Sequence, residues 1–530
     1  MIDAIKETLL ARVYDVAVES PLTRAAKLSA AAGAEIYLKR EDLQPVHSFK
    51  LRGAYNRIAH LSPEERRRGV IAASAGNHAQ GVALAGSKLG IRATIVMPRT
   101  TPAIKVDAVR ALGAEVELVG DSFNDAYARA RELEAERGAV FIHPFDDPLV
   151  IAGQGTIGRE ILEQLPDATH IYVPVGGGGL LAGVAQYVKE LRPDVQVIGV
   201  EPSDSNVMQQ SLRAGRRVTL DHVGIFADGV AVKQAGEHTF EVARRCVDRI
   251  VTVGTDEICA AVKAVFEDTR SIVEPAGALA VAGIMREAPG AAAGRPEAPP
   301  GAGGAGGESG TGSPTGAPTA GTRAVAICSG ANVTFERLQQ IAERTLIGSG
   351  REVLAAIAMP ERPGALRTFV IEVVGDHSIT EFNYRLSDRR KAHVLVGVSV
   401  SDPNDRAAFL ARLDEYGYEH TDLSDDDVAK EHVRHMIGGP APNAASEHLY
   451  QIDFPERPGA LGDFLATLGT QWNISAFHYR SQASDTGNVL IGFEAEDRPA
   501  LEKQLDAIGY EWTSLDEVPS MQLFIAPEGE

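Results

Sequence analysis

The last third of this chain carries one stretch twice, which fixes how that part can fold. MPERPGAL at 359–366 returns as FPERPGAL at 454–461. At the same spacing ITEFNYR (379–385) matches ISAFHYR (474–480), and HVLVGV (393–398) matches NVLIGF (488–493). After a three-residue slip, LDEYGYEHTDL (413–423) matches LDAIGYEWTSL (505–515). Copies that stay in register must each build the same unit. Proline and glycine at the head of each copy suit a turn and a helix start. The predicted order is strand, helix, two strands, helix, strand. Two small modules at 352–424 and 447–518 follow, with a linker at 425–446.

The region before the repeat has another rhythm. GVIAAS (69–74), RATIVMP (92–98), EVELVG (115–120), HIYVPV (170–175) and VQVIGVE (195–201) are short apolar runs. Longer helical patterns separate them, as in HAQGVALAGSKLG (78–90), AIKVDAVRALG (103–113) and LLAGVAQYVKEL (180–191). Continuous apolar strands alternating with helices predict open parallel sheets covered on both faces. Residues 288–322 interrupt this with Gly, Ala, Pro and Ser, a composition that cannot bury a core. TRAVAICSGAN (322–332) then reads as a further buried strand of the same unit, so 288–322 is a surface insertion in a domain spanning 1–347.

Composition narrows the function. The 530 residues carry a formal net charge of −20, which repels phosphate backbones and argues against nucleic acid as a partner. The first twenty residues mix acids among the apolar positions, unlike a signal peptide, and no apolar run is long enough for a membrane span. Three scattered cysteines suit a reducing cytoplasm and offer neither a disulfide framework nor a metal site.

Chemistry concentrates at four turns. VPVGGGGLLAG (173–183) runs from strand through Gly176, Gly177, Gly178 and Gly179 into a helix at Leu180. Converging amides and a helix N-terminus make a phosphate cradle. A rival reading takes Gly177, Gly179 and Ala182 as a dinucleotide pattern, with Glu201 as the ribose-binding acid. ASAGNHAQG (73–81) places Ser74, Ala75, Gly76, Asn77 and His78 at a strand end, where donors suit a carboxylate and the Asn77 amide suits a ring oxygen. CSGAN (328–332) sets Ser329 at another strand end. HSFK (47–50) supplies one amine, Lys50. A phosphate cradle, a ring amide, a hydroxyl for a ring nitrogen and a lysine together describe a site for pyridoxal 5′-phosphate, held through an imine to Lys50. The dinucleotide reading has no use for Lys50 or Asn77.

These motifs resemble the fold-type II family of pyridoxal phosphate enzymes, and within it the biosynthetic threonine dehydratases (threonine ammonia-lyases). SPLTRAAKLS, YLKREDLQPVHSFKLRGA, ASAGNHAQG, PVGGGGL, EPAGA and CSGAN all stand in the family's order, and the paired tail is similar to its tandem ACT-like regulatory domains. The resemblance implies two parallel-sheet α/β subdomains followed by two α+β ACT-like domains. It implies Lys50 as the cofactor lysine, Asn77 as a cofactor contact, Gly176 to Leu180 on the phosphate, and Ser329 at the pyridine nitrogen. Residues 74–78 are then the substrate carboxylate turn. It also implies a lyase that converts L-threonine to 2-oxobutanoate and ammonia, the first step of isoleucine biosynthesis. Inhibition by isoleucine, relief by valine, and a cytoplasmic homotetramer come with it. Tyr384, Arg385, Tyr479 and Arg480 repeat between the two copies and are the candidate effector residues. Serine dehydratase, racemase and a non-catalytic amino-acid sensor are the alternatives. Racemases resembling this family place a serine two residues before the asparagine, where this chain has Ala75, so little racemisation is expected.

Overall fold

A computed structural model describes residues 4–288, 321–348, 351–360, 369–375, 377, 379–384, 391–433, 447–455, 464, 467–468, 472–479 and 486–524. The chain divides into two compact units, Met1–Thr334 and Phe335–Glu530.

Among its described residues the first unit holds two sheets. The larger has the order β1-β2-β10-β7-β8-β9. Its strands are β1 (Leu22–Arg24), β2 (Glu35–Arg40), β7 (His170–Pro174), β8 (Gln196–Pro202), β9 (Arg249–Val253) and β10 (Arg323–Cys328). Only β1 runs antiparallel; the other neighbours pair in parallel. β10 follows the Gly/Ala/Pro-rich segment in sequence yet lies between β2 and β7, in register from Arg323 opposite Glu35. The smaller sheet has the order β5-β4-β3-β6 and is parallel throughout. It comprises β3 (Val70–Ala73), β4 (Ala93–Met97), β5 (Glu115–Leu118) and β6 (Val140–Phe141).

The apolar runs explain the burial. Every residue of β3 and β4 is buried, as parallel strands covered on both faces require. Ile171, Val173, Val325 and Ile327 anchor one core, and Val70, Ala72, Ile95 and Met97 another. The helices Lys50–Ala59 and Pro148–Gln164 cross where Gly53 meets Gly153: a Cβ on Gly153 would lie 2.7 Å from the Gly53 Cα. That close crossing fixes the helix that begins at Lys50.

The second unit contains two four-stranded antiparallel sheets of the same order, β12-β13-β11-β14 and β16-β17-β15-β18. The strands of the first are β11 (Glu352–Pro360), β12 (Ile379–Tyr384), β13 (Lys391–Ser399) and β14 (His420–Asp422). Those of the second are β15 (Glu447–Pro455), β16 (Asn473–Tyr479), β17 (Thr486–Glu494) and β18 (Trp512–Ser514). Even the irregularities repeat: the register shifts between Ile379 and Glu381 and, at the equivalent place, between Ile474 and Ala476. Leu354, Leu395 and Leu423 share one apolar cluster with their counterparts Leu449, Leu490 and Leu515, so the modules have a common core. No helix among the described residues is long and apolar enough to cross a membrane.

Candidate active site

Lys50 is placed by backbone pairing from a distant strand end. Ser48 bridges Gly330, the Phe49 amide donates to the Ser329 carbonyl at 3.1 Å, and the Ala331 amide donates to the His47 carbonyl at 2.8 Å. This short ladder ties the HSFK segment to the turn after β10, so Lys50 and Ser329 share one neighbourhood. Lys50 then opens its helix, with Nζ donating to the Pro144 carbonyl at 3.1 Å and lying 5.3 Å from the Phe49 ring centroid. Burial pushes its ammonium down to about 8, against the opposing pull of the Glu274 carboxylate. Loss of hydration disfavours the charged amine, and the neutral amine is the nucleophilic form.

The 74–78 turn follows β3, and the helix Asn77–Leu89 begins within it. The Gly76 amide donates to Ser74 Oγ at 3.3 Å. A Cβ on Gly76 would meet nothing within 4 Å, so the turn faces open space. Asn77 is held at both ends of its amide: Nδ2 donates to Glu274 Oε1 at 2.6 Å, and Oδ1 accepts from Asn332 Nδ2 at 2.6 Å. Asn332 is itself fixed by donating to the Val46 carbonyl at 2.9 Å. Glu274 is buried at the N-terminus of the helix Pro275–Glu287. Burial, then the Asp228 charge, raise its pKa to about 7, while the Asn77 hydrogen bond opposes them. His78 points elsewhere: its ring is buried, with Nε2 2.9 Å from the Ile142 carbonyl.

The glycine bend joins β7 to the helix Gly179–Leu191. Gly178 has φ 95°, a left-handed conformation that side chains resist. A Cβ on Gly177 would run into the Phe145 ring, and one on Gly179 would lie 2.9 Å from Phe145 Cα. Val230 closes over Gly176, and a Cβ on the adjacent Gly229 would sit 3.9 Å from Asn77 Nδ2. The bend and the Asn77 turn therefore border one volume. Leu180 packs into the core from the first turn of the helix, where backbone amides have no partner within the helix. Ser329 is buried, with its hydroxyl 3.4 Å from the Ala276 carbonyl.

These residues fit a phosphorylated aldehyde cofactor. The glycine bend and helix N-terminus present backbone donors to an anion. Ser48 Oγ, two residues before Lys50, is buried with no hydrogen-bond partner among the described residues. The dinucleotide reading does not survive the geometry. Glu201 is buried and its carboxylate accepts the Met208 and Gln209 amides at 2.8 and 2.9 Å, capping the helix Val207–Ala214. It has turned inward, away from any ribose, and burial raises it to about 8.

Comparison with known proteins agrees. The family described as pyridoxal-phosphate dependent enzyme matches residues 14–296. The C-terminal regulatory domain of threonine dehydratase matches twice, at 343–433 and 439–525. The L-threonine dehydratase biosynthetic IlvA of Burkholderia multivorans is 48% identical over 530 residues, 99% of each chain. The chain belongs to the biosynthetic threonine dehydratase family. The family's IlvA of Escherichia coli strain K12 is 45% identical, over 98% of this chain and 97% of that one. Among solved structures, the processed form of threonine deaminase isoform 2 from Solanum lycopersicum is 48% identical with a TM-score of 0.58, covering 64% of this chain and 87% of that one. A serine racemase from Dictyostelium discoideum is 30% identical with a TM-score of 0.54, over 62% and 99%. Membership in this dehydratase family makes pyridoxal phosphate the cofactor and amino-acid binding the role of the paired tail domains.

Sequence motifs located Lys50, the 74–78 turn, the glycine bend and Ser329, and the fold brings these onto adjoining turns. Glu274 and Asn332 stand inside EPAGA and CSGAN, and their contacts with Asn77 are visible only in the fold. A glutamate just before a helix-starting proline was the available signal. Residues 143–147 were missed altogether. In the tail, Tyr384 lies opposite Val394 on edge strand β12, and Tyr479 opposite Val489 on edge strand β16. Arg385 and Arg480 lie outside the described residues.

Proposed function

We propose that this chain is a threonine ammonia-lyase, converting L-threonine to 2-oxobutanoate and ammonia, with its tail binding isoleucine as inhibitor and valine as the opposing effector. One observation carries the catalytic part: a half-buried lysine of lowered pKa stands where a glycine bend, an asparagine turn and a buried serine meet. When bound, pyridoxal phosphate supplies an aldehyde that links to amines and a ring that withdraws electrons from the substrate α-carbon. In this reading the amides of Gly176 to Leu180 hold the phosphate, the Asn77 amide meets the ring oxygen, and Ser329 faces the ring nitrogen. Ser74 to His78 orient the threonine carboxylate through backbone and side-chain donors. The neutral Lys50 amine takes the proton from the substrate Cα as general base.

Ala75 sets the preference for elimination over racemisation. Racemisation requires a second proton donor on the opposite face, and a methyl group supplies none. The reading includes domain limits of 1–347, 352–424 and 447–518, a homotetramer, and a cytoplasmic location. Isoleucine acts by binding an inactive state more tightly than an active one. Tyr384, Arg385, Tyr479 and Arg480 are the proposed effector contacts.

The decisive experiment measures 2-oxobutanoate from L-threonine with and without isoleucine, for the wild type and Lys50→Ala. Turnover by the wild type, its loss in the variant, and suppression by isoleucine are expected. Steady-state dehydration by Lys50→Ala would refute the lysine assignment. A substantial yield of D-serine from L-serine would refute the role given to Ala75.

A further inference from the structure

Five consecutive residues, His143-Pro144-Phe145-Asp146-Asp147, lead from the end of β6 to the helix Pro148–Gln164. Four of them hold the Lys50 helix, the glycine bend and the 237–239 segment packed on that bend. The Pro144 carbonyl accepts Lys50 Nζ at 3.1 Å. Phe145 lies against Gly177 and Gly179 of the glycine bend. The Asp146 carboxylate accepts the amides of Glu237, His238 and Thr239 at 2.8, 2.9 and 3.3 Å, and Thr239 Oγ1 donates to the Gly177 carbonyl at 2.6 Å. Asp147 caps the following helix and pairs with Arg57 Nε at 2.9 Å, on the helix that begins at Lys50.

The fifth residue shapes the loop. Pro144 has no amide hydrogen, so the next donors are the amides of Phe145 and Asp146. Both point to His143 Nδ1, at 3.3 and 2.8 Å. An imidazole nitrogen that accepts carries no proton. Just upstream, His78 donates from Nε2 to the Ile142 carbonyl, so the substrate turn clamps the strand where the loop leaves it.

We propose that His143 is a positioning residue of the dehydratase reaction: its unprotonated Nδ1 folds the 143–147 loop, and that loop sets Lys50 and the glycine bend at their working separation. The proposal rests on the reading of Lys50 and Gly176 to Gly179 as the cofactor site. The charged and titratable groups around the ring are Asp146 and Asp147 from its own loop, Lys50 and His78 from two helices, and Arg131 from the helix Phe123–Arg137. The rings of Phe141 and Phe145 meet it edge-on, with centroids 6.3 and 4.7 Å away. Burial outweighs the two carboxylates and keeps the ring below the usual imidazole range. The loop is therefore intact at neutral pH and loses its acceptor as pH falls.

The test uses the full-length chain and three variants. His143→Asn places an amide oxygen near the Nδ1 position, His143→Gln carries it one bond farther, and His143→Ala removes it. Two quantities are measured: pyridoxal phosphate affinity by fluorescence, and kcat and KM for L-threonine from about pH 5.5 to 8.5, the range over which histidine titrates. His143→Gln and His143→Ala are expected to bind the cofactor more weakly and to lose roughly tenfold or more in kcat, with KM little changed. His143→Asn is expected to recover to within about threefold of wild type and to lose part of the decline at acid pH. Should His143→Ala fail to fold, the Asn and Gln pair decides. Wild-type values in His143→Gln, or an Asn variant as impaired as Gln, would overturn the proposal. Absence of 2-oxobutanoate from the wild type would instead refute the underlying functional reading, while the cofactor affinities would still test His143.

Discussion

Ser424 and Asp516 occupy equivalent positions in the two tail modules, and each accepts the amide of the equivalent leucine. Leu354 N donates to Ser424 Oγ at 3.0 Å, and Leu449 N donates to Asp516 Oδ1 at 2.9 Å. The carboxylate has moved by two residues between the copies. In the first, Asp422 accepts Ser424 Oγ at 2.7 Å and Arg406 Nη2 at 2.6 Å. In the second, Ser514 stands at that place, and Asp516 binds Arg498 Nη1 at 2.8 Å and His448 Nδ1 at 3.0 Å. Each copy keeps one arginine, one aspartate and one serine, with the last two exchanged. The exchange brings His448 into the second network, where the first module has Val353.

That relationship predicts a stability pattern. Ser424→Ala leaves the buried Leu354 amide without its acceptor, at a cost of about 1–3 kcal/mol. Ser424→Asp restores an acceptor but sets a second carboxylate beside Asp422, so it too is destabilised. The double exchange D422S/S424D copies the second module and is expected to recover most of the loss. Thermal unfolding of the three variants checks this; additive losses in the double variant would show that the two positions are not coupled.

The first unit carries a sharper vulnerability. Arg52 Nη1 lies 2.5 Å from Glu160, Arg52 Nη2 lies 2.8 Å from Glu41, and Lys39 Nζ lies 2.6 Å from Glu160. All four side chains are buried, so each charge depends on the others. Arg52→Leu takes the ion-pair partner from the buried Glu41 and leaves Glu160 with Lys39 alone, and is expected to cost about 3–5 kcal/mol. Arg52→Lys keeps the charge but loses the fork that reaches both partners, so its loss is smaller. A melting temperature for Arg52→Leu within error of wild type would contradict the account.

That cluster also shows where sequence reading stops. YLKREDL has the composition of a solvated surface, yet Lys39, Arg40, Glu41 and Asp42 are buried. Arg40 and Asp42 pair with each other, but Lys39 pairs with Glu160 and Glu41 with Arg52, partners outside the motif. By contrast, β3, β4, β7 and β10 were legible, because a strand covered on both faces must be apolar along its length. The tail modules were legible because a repeat states its own register. Lys50, Asn77 and the glycine bend were legible because their chemistry is local to short turns. The 143–147 loop was not, since its role lies in contacts with three segments distant in sequence. The ring of His78 was illegible for a related reason: the residue stands in the 74–78 turn, and its ring serves the Ile142 carbonyl.

His78 makes stability depend on pH. Burial first, then the Lys50 charge, depress its pKa from 6.5 to about 3. Below pH 6.5 the unfolded chain gains a proton there that the folded chain refuses. The stabilisation present above the unfolded pKa is therefore lost as pH falls towards about 3. Each unit corresponds to about 1.4 kcal/mol, so the loss reaches a few kcal/mol across the window. His78→Gln keeps a donor for the Ile142 carbonyl without a titrating group. Its unfolding free energy is expected to vary less steeply between about pH 6.5 and 4 than that of the wild type. Parallel curves for the two proteins would assign the acid sensitivity to other groups.

Lys50 offers the most direct test of the site. An exposed lysine titrates near 10.5, and burial brings this one to about 8. Only the neutral amine attacks an aldehyde, so the rate at which cofactor-free protein captures pyridoxal phosphate is expected to rise with a midpoint near 8. The Glu274 carboxylate stabilises the ammonium, which places the midpoint higher than burial alone would. Glu274→Gln removes that charge while retaining an acceptor for Asn77 Nδ2, so the midpoint is expected to move down. Stopped-flow absorbance across this range reads both effects. A midpoint near 10.5 in the wild type would mean that the amine is solvated, and an upward shift in Glu274→Gln would reverse the sign assigned to the carboxylate.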